Sequence, residues 1–324
     1  MTDSVLITGG AGFIGSHLAE RLVTRGQRVT IFDNFDPYYD RALKEENLTT
    51  SLESGLVDVI EGDIRDNAAL RGAFASARPR VVVHLAARPG VRASFELPQQ
   101  CIDVNVAGTL NVLMACGEFA VPKLVFASSS SVYGAPQSPA VEDVTPRLPL
   151  SPYGASKVAG EALCSAFASS NGASVVALRF FTVYGPRQRP DMAIARFARM
   201  IAAGDKVPVY GDGSSRRDYT SVSDIMTGVL AAIDRPLPGY TAINLGRGEP
   251  VVLRDLLRLI ELGLDAAANL AFLPRQAGDP DSTCADISRA RELLGFEPRV
   301  SAQEGVVRYT AWLQETQRER IGSR

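Results

Sequence analysis

The sequence contains few of the residues that most often bind metals or form disulfides. Its 324 residues include only two histidines, His17 and His84, and four widely spaced cysteines that form no CxxC pair. A histidine-based metal site and a disulfide framework are both unexpected on these counts. We interpret the cysteines as buried or incidental thiols in a reducing compartment, and we expect no bound metal.

A basic excess and long apolar runs are also missing. Lys plus Arg total 34 and Asp plus Glu total 36, so the formal net charge is −2. Without an overall basic field, neither nucleic acid nor an anionic membrane is an expected partner, and any anion site must be local. No apolar run reaches the length of a membrane span, and no basic-then-apolar signal precedes the strand-like run at Val5. We therefore expect a cytoplasmic protein.

Short apolar runs, mostly of β-branched residues, alternate with helical patterns through the first half of the chain. Strands are predicted at residues 5–8, 28–32, 57–60, 81–85, 124–127 and 175–178. Helices are predicted notably at residues 101–116 and 153–169. This alternation predicts an α/β fold with a Rossmann-like, doubly wound parallel sheet and right-handed crossovers.

The pattern changes after about Phe181, where proline and arginine become frequent. We predict a first domain over residues 1–181, with a returning segment near 219–246 that adds one more strand at Tyr240–Leu245. Residues 182–324 are expected to form mainly a smaller C-terminal α/β lobe. Helices of that lobe are predicted near residues 193–203, 253–262, 287–294 and 302–315.

A glycine-rich turn, Gly9-Gly10-Ala11-Gly12-Phe13-Ile14-Gly15, follows the first predicted strand and opens a helix. Its glycines permit a tight turn, a close approach of the backbone to a pyrophosphate, and close packing of helix on strand. The helix N-terminus then supplies amide donors to phosphate. Because an acidic residue, Asp33, also ends the second predicted strand, the combination predicts a dinucleotide site.

Asp33 favours NAD over NADP. A carboxylate at this position can accept hydrogen bonds from ribose hydroxyls and would repel a 2′-phosphate, and the next residue is Asn34, not an arginine. Asp63 follows the third predicted strand. It can serve either as a turn and helix cap or as a contact to adenine, and the sequence leaves both open.

Tyr153 and Lys157 are four residues apart in a predicted helix, so they lie on the same face. A fixed ammonium favours the ionised form of a nearby phenol, so such a pair can make tyrosine a base near neutral pH. Alone, the pair could also belong to an ordinary helix start. The upstream run Ser128-Ser129-Ser130-Ser131 could likewise be a strand end with solvated hydroxyls.

Together these pieces resemble a known family. The glycine-rich turn, Asp63, His84-Leu85-Ala86-Ala87, Asn105, the serine run with Val132-Tyr133-Gly134, and Tyr153-x-x-x-Lys157 are similar to motifs of the extended short-chain dehydrogenase/reductases. Within that group the sequence resembles nucleotide-sugar epimerases over nearly its whole length. The resemblance implies bound NAD, a UDP-sugar substrate, and a homodimer formed through two helices, the catalytic one among them.

The resemblance implies that Tyr153 is the base, Lys157 its partner and a ribose contact, and Ser129 the hydroxyl beside the reacting oxygen. Asn105 would support these groups, although it could merely satisfy a backbone carbonyl. Residues 1–181 would be the NAD-binding domain and residues 182–324 mainly the nucleotide-sugar lobe. The implied NAD contacts are Gly9, Gly12, Phe13, Ile14, Gly15, Asp33, Asn34, Asp63, Ile64, Leu85, Ala86, Ala87, Asn105, Tyr153 and Lys157.

Residues 32–44 and 179–193 narrow the resemblance to UDP-glucuronate 4-epimerases. In the second segment Arg189 would face the C5 carboxylate of the sugar, since a guanidinium fork fits a carboxylate. A surface loop arginine is the alternative. Ser130 and Ser131 would lie along the sugar. They are neutral where related 4,6-dehydratases carry acids and where UDP-glucuronate decarboxylases have a glutamate nearby, which favours epimerisation over loss of carbon dioxide.

The other implied substrate contacts are less specific. Arg92, in the loop after the His84 strand end, would reach the sugar but could be a plain surface arginine. Arg217 would bind the diphosphate and Asp279 the uridine ribose, although both could be ordinary loop polar groups. The full implied set is Arg92, Ser129, Ser130, Ser131, Thr182, Arg189, Arg217 and Asp279.

The predicted function is NAD-dependent C4 epimerisation of UDP-glucuronate to UDP-galacturonate through a 4-keto intermediate. Tyr153 is the predicted base, and bound NAD the transient hydride acceptor. The nearest alternative is a UDP-glucose/galactose 4-epimerase, followed by a UDP-glucuronate decarboxylase. A non-catalytic NAD-binding sensor is a fourth possibility, but that function usually requires loss of the tyrosine or the lysine, and both are present.

Overall fold

A central sheet of parallel strands organises the computed structural model, which describes residues 4–136, 139–275 and 280–322. The strands are β1 (Val5–Thr8), β2 (Val29–Asp33), β3 (Val57–Glu61), β4 (Val81–His84), β5 (Lys123–Ser129), β6 (Ser174–Phe180), β7 (Thr182–Tyr184), β8 (Lys206–Tyr210), β9 (Arg216–Arg217), β10 (Tyr219–Ser221), β11 (Tyr240–Leu245), β12 (Val251–Val252) and β13 (Asn269–Leu273). Seven of these described strands form the main sheet in the order β11-β6-β5-β4-β1-β2-β3.

The α-helices are α1 (Phe13–Thr24), α2 (Arg41–Glu53), α3 (Asn67–Ala77), α4 (Val91–Glu96), α5 (Pro98–Ile102), α6 (Thr109–Glu118), α7 (Pro152–Asn171), α8 (Ala193–Ala203), α9 (Val222–Asp234), α10 (Leu253–Leu264), α11 (Ser288–Leu294) and α12 (Ala302–Gly322). A π-helical segment, Asp103–Gly108, joins α5 to α6, and a 3-10 helix, Ser130–Tyr133, follows β5. None of the described helices is both long and apolar enough to cross a bilayer.

The sheet confirms the predicted doubly wound α/β fold. Every strand pair in it is parallel, and β11 pairs with β6 from Tyr240 beside Val175 to Leu245 beside Phe180, as expected of the returning strand. Alternate residues face opposite sides. Val5 and Ile7 of β1 therefore join one apolar core while Leu6 joins the core on the other face.

A third apolar core lies in the C-terminal half, between α8, α10, α12 and β8. Two-stranded sheets accompany it within the described residues: β7 with β10, β8 with β13, and β9 with β12. Helix α9 packs on α1 and β5 instead, so part of this half covers the main sheet. The division into lobes at residues 181 and 182 stays a prediction.

One predicted helix is interrupted. Residues 101–116 were expected to form a single helix, but Asp103–Gly108 takes π-helical form between α5 and α6. A π-turn inserts an extra residue and is frequent at functional sites. Here it contains Asn105, whose side chain is buried.

Candidate active site

A cleft of about 370 Å³ lies where the parallel strands end, because their carboxyl ends meet at one edge of the sheet. It also includes the segment that follows β6. The residues predicted for the site that line this cleft are Gly9, Gly12, Phe13, Ile14, Gly15, Asp33, Asn34, Asp63, Ile64, Leu85, Ala86, Ala87, Ser129, Ser130, Ser131, Tyr153, Lys157, Thr182 and Arg189.

The glycine-rich turn is packed too closely for side chains at two positions. A Cβ on Gly9, whose φ is +74°, would lie 2.6 Å from the Ala86 nitrogen, and one on Gly15 would lie 2.5 Å from the Gly9 carbonyl oxygen. Gly12 is the N-cap of α1, and no side chain of the described residues caps that helix. The first amides of α1 therefore open onto the cleft, as a phosphate site requires.

Asp33 holds the glycine-rich turn as well as facing the cleft. Its Oδ2 accepts a hydrogen bond from the Ala11 amide at 3.0 Å, and its Oδ1 accepts one from the Phe35 amide at 2.8 Å. Burial raises the pKa of this carboxyl, and the amide donors and Lys44 act in the opposite direction. Each oxygen keeps a further acceptor position for a ribose hydroxyl.

Asp63 is anchored by its neighbours. Asn34 donates to its Oδ2 at 2.9 Å, and Arg65 donates from Nε at 2.9 Å and from Nη2 at 2.7 Å. The hydrogen bonds from Arg65 are the largest cause that lowers the pKa of Asp63 to about 2. The carboxylate therefore fixes the turn after β3 and also lines the cleft. The expected helix cap at Asp63 is wrong, because Asp66 caps α3 by accepting from the Ala68 and Ala69 amides.

Ser129, Tyr153 and Lys157 come together at the end of β5 and the start of α7. The helix begins after Ser151, whose hydroxyl accepts from the Gly154 amide at 3.1 Å. Lys157 Nζ donates to the Ala127 carbonyl at 2.7 Å and lies 5.9 Å from the centre of the Tyr153 ring. The ammonium is thus held by the strand, one helical turn from the phenol.

Burial, a hydrogen bond and a nearby positive charge all act on the pKa of Tyr153. Burial raises the pKa of Tyr153, and the opposing influences are a hydrogen bond with Ser129 and the positive charge of Arg189. Burial also lowers the pKa of Lys157 to about 8. Ser129 and Arg189 thus favour the phenolate, and the activating effect expected of Lys157 stays a prediction.

A directed hydrogen-bond chain runs behind the cleft. Thr109 donates to the Asn105 carbonyl at 2.7 Å, so its hydroxyl must accept from His84 Nε2 at 3.0 Å. His84 Nδ1 then accepts from the Thr8 hydroxyl at 2.7 Å, and Thr8 accepts from the Ala86 amide at 3.4 Å. The geometry assigns the Nε2–H tautomer to His84, which is fully buried with its pKa lowered by burial to about 3.

Asn105 lies behind the cleft and does not line it. Its amide accepts from the Arg88 nitrogen at 2.7 Å and donates to the Arg88 carbonyl at 3.1 Å and to Ser156 Oγ at 2.9 Å. Ser156 in turn donates to the Tyr153 carbonyl at 2.7 Å. Asn105 thus ties the loop after β4 to the helix of Tyr153, as a supporting residue would, and does not itself face the cofactor space.

Arg189 also lines the main cleft. Its Nε and Nη2 donate to the two oxygens of Asp191 at 3.0 and 3.1 Å, and its side chain is 21% exposed. Tyr38 donates to Asp191 Oδ2 at 3.1 Å. The guanidinium of Arg88 lies 4.7 Å from the centre of the Tyr38 ring, and that of Arg189 lies 5.8 Å from it. Two arginines therefore flank one tyrosine here.

A second, smaller cleft of about 220 Å³ contains Arg92 and Arg217. Arg92 belongs to α4 and not to a loop, and its guanidinium lies 4.8 Å from the centre of the Tyr210 ring. Thr182 lines both clefts. It therefore lies between the main cleft and Arg217, the predicted diphosphate arginine. Asp279 lies outside the described residues.

Three cleft residues, Tyr38, Lys44 and Arg88, were not singled out from the sequence, and neither was Asp191, which bonds to Tyr38 and Arg189 beside them. Tyr38, Lys44 and Asp191 lie inside the two segments that carried the resemblance, and Arg88 directly follows the Ala86-Ala87 strand end. Polar residues after a parallel strand were therefore a usable signal, although nothing in their spacing reveals the pairing of Tyr38 with Asp191.

Comparison with known proteins places the chain among sugar-nucleotide enzymes. The model of the NAD dependent epimerase/dehydratase family matches residues 5–246. The chain is 40% identical over 311 residues to the UDP-glucuronate 4-epimerase of Thermodesulfobacterium geofontis (strain OPF15), a match that covers 96% of each protein.

Two solved structures are similar throughout. The UDP-glucuronic acid 4-epimerase of Bacillus cereus, in complex with UDP-glucuronic acid and NAD, has a TM-score of 0.91 and 35% identity over 96% of this chain and 99% of that one. The UDP-glucose 4-epimerase of Thermus thermophilus, in complex with NAD, has a TM-score of 0.87 and 35% identity over 96% of this chain and 98% of that one.

Proposed function

The chain belongs to the NAD dependent epimerase/dehydratase family, and we propose that it interconverts UDP-glucuronate and UDP-galacturonate by inverting C4 of the sugar. The observation that carries this proposal is that Arg189 lines the same cleft as Tyr153 and Lys157. A carboxylate-binding group then lies beside the acid–base group. The relatives named for UDP-glucuronate support the same substrate.

The residues of the cleft fit NAD. The uncapped first turn of α1 offers amides to the pyrophosphate, and the tightly packed Gly9 and Gly15 keep the backbone free of side chains there. Asp33 would hold the adenosine ribose and Lys157 the nicotinamide ribose. When bound, NAD would supply the chemistry of accepting the C4 hydride and returning it.

The chain's own residues would handle the proton of the sugar O4. Tyr153 is the proposed base that takes this proton and later returns it, assisted by the Ser129 hydroxyl. Lys157 donates to the Ala127 carbonyl, and this bond would fix a positive charge at this end of the cleft. Because the proton and the hydride both return to the sugar, the reaction has no net redox change.

Arg189 separates this proposal from the nearest alternative, a UDP-glucose/galactose 4-epimerase. A neutral hexose has no carboxylate for a guanidinium at the sugar end to bind, whereas the carboxylate of a uronate matches the guanidinium geometry. The neutral Ser130 and Ser131 in the same cleft also favour epimerisation over decarboxylation, because no acidic side chain stands at those positions.

We also propose that the protein is a cytoplasmic homodimer. Exposed apolar side chains on the surface of α4 to α6, among them Phe95, Leu110 and Met114, support an interface next to α7. The four cysteines are buried free thiols, which suits a reducing compartment. The two-lobe division, with NAD on residues 1–181 and the nucleotide sugar mainly on 182–324, is part of the same proposal.

The decisive experiment incubates the purified protein with UDP-glucuronate and no added NAD, and separates the products by chromatography. UDP-galacturonate is the expected product. Tyr153→Phe should lower kcat by about 100-fold or more, because it removes the acid–base group. Tyr240→Phe is the matched control, since the Tyr240 hydroxyl is buried without a partner among the described residues and lies in β11 outside the main cleft.

Three results would contradict the proposal. A UDP-pentose product with carbon dioxide release would show decarboxylation. Conversion of UDP-glucose alone would show a hexose epimerase. Ordinary activity of the Tyr153→Phe variant would exclude this tyrosine as the base.

A further inference from the structure

Arg189 already holds a carboxylate from its own chain. Asp191 accepts from Nε at 3.0 Å and from Nη2 at 3.1 Å, which is the two-point contact that a guanidinium offers to a carboxylate. A substrate carboxylate must therefore either displace Asp191 from this edge or share the guanidinium with it. In both cases two negative groups meet at one positive charge.

Asp191 is also held from the cofactor side of the cleft. Tyr38, from the segment between β2 and α2, donates to Asp191 Oδ2 at 3.1 Å. Its ring is held near Arg88, whose Nη1 donates to Asp36 Oδ1 at 2.6 Å. The negative charge of Asp191 is thus fixed beside Arg189 and does not move freely in solvent.

We propose that Asp191 is a specificity-determining residue that competes with the substrate carboxylate for Arg189. This inference rests on the proposed function. It means that the site binds uronates less tightly than it would if Asp191 did not pair with Arg189. The carboxylates of Asp191 and of the substrate repel each other at one guanidinium, whereas a neutral hexose has no charge that Asp191 could repel. Substrate and product both carry the carboxylate, so Asp191 weakens the binding of both and favours product release.

The test is to measure dissociation constants of UDP-glucuronate and UDP-glucose on the NAD-loaded protein by titration calorimetry. Asp191→Asn removes the charge at nearly constant shape. It should tighten UDP-glucuronate binding by roughly fivefold and change UDP-glucose binding by less than about twofold. Asp234→Asn is the matched control, because Asp234 forms an exposed pair with Arg25 at 2.9 Å outside the cleft. It should change neither constant.

Unchanged or weaker UDP-glucuronate binding by Asp191→Asn, with UDP-glucose binding intact, would overturn the inference. Equal tightening of both ligands would also overturn it, because the effect would not act on the sugar carboxylate. The proposed function is checked separately, by turnover of UDP-glucuronate by the wild type and by selective weakening of that ligand in Arg189→Ala. If these succeed while Asp191→Asn fails, only the inference is wrong.

Discussion

A positive charge that acts on Tyr153 comes from a distant part of the chain. Arg189 favours the ionised form of Tyr153, while Lys157 is directed to the Ala127 carbonyl. One guanidinium would therefore serve both the sugar carboxylate and the phenolate. For this reason substitutions of Arg189 should affect turnover as well as substrate choice.

The burial of His84 predicts how the free energy of unfolding changes with pH. Its pKa is lowered from 6.5 to about 3 by burial, so the unfolded state binds one more proton between these values. The contribution of the neutral histidine is full above pH 6.5 and is lost as the pH falls toward 3. His84→Gln, which does not titrate, should reduce the slope of unfolding free energy below about pH 6 by roughly 1.4 kcal/mol per pH unit.

Urea denaturation of wild type and variant between pH 6 and pH 4 measures this slope. The same slope in both proteins would show that His84 is not the buried neutral group described. His17, the other histidine, also has its pKa lowered by burial. It stays in both proteins, so its contribution cancels in the difference.

The position of α7 on β5 depends on a glycine, Gly160. A Cβ on Gly160 would lie 2.6 Å from the Phe126 ring, so the glycine lets the helix lie close to the strand that ends at Ser129. Gly160→Ala should destabilise the protein by about 1 to 2 kcal/mol, because the overpacking outweighs the better helix propensity of alanine. It should also lower kcat, since the same helix carries Tyr153 and Lys157.

Gly72→Ala in α3 is the matched control, because a Cβ there meets no described atom within 4 Å. It should stabilise the protein by about 0.5 to 1 kcal/mol and leave kcat unchanged. Chemical denaturation and initial rates measure both effects. Equal stability changes in the two variants would contradict the close packing of α7 on β5.

Secondary structure with a regular period was predictable, and its local exceptions were not. The apolar runs of β1 to β6 are short and mostly β-branched, which favours strands, and the glycine-rich turn between a strand and a helix is typical of a dinucleotide-binding fold. The π-helical segment Asp103–Gly108 has no such pattern. It is stabilised by tertiary bonds, since Asn105 pairs with the Arg88 backbone, and the sequence around it reads as an ordinary helix.

For the whole molecule, residues that follow successive parallel strands could be placed together, because the fold brings those strand ends to one edge. The pairs of side chains that meet from distant segments could not be predicted. Arg92 and Arg217 share a second cleft, and Tyr38 meets Asp191, through the relative placement of segments far apart in the chain. Such pairings depend on side-chain geometry that local patterns do not encode.

The outer surface next to α7 has the character of an interface. Leu110 and Met114 are four residues apart on α6 and are 43% and 61% exposed, and Ile102 at the end of α5 is also exposed. The exposed residues of α7 include the small side chains of Ala155, Ala162 and Ala166. A stripe of large apolar side chains beside a stripe of alanines can pair with its own copy across a two-fold axis.

Met114→Asp should therefore convert a dimer into a monomer, because a charge would be buried at the interface. Light scattering after size-exclusion chromatography measures the mass. Leu262→Asp is the matched control, since Leu262 is 77% exposed on α10, away from this surface, and should leave the dimer intact. A monomeric wild type, or a Met114→Asp variant that stays dimeric, would contradict the proposed interface. Because α7 carries Tyr153 and Lys157 and borders this surface, the monomer should also lose activity.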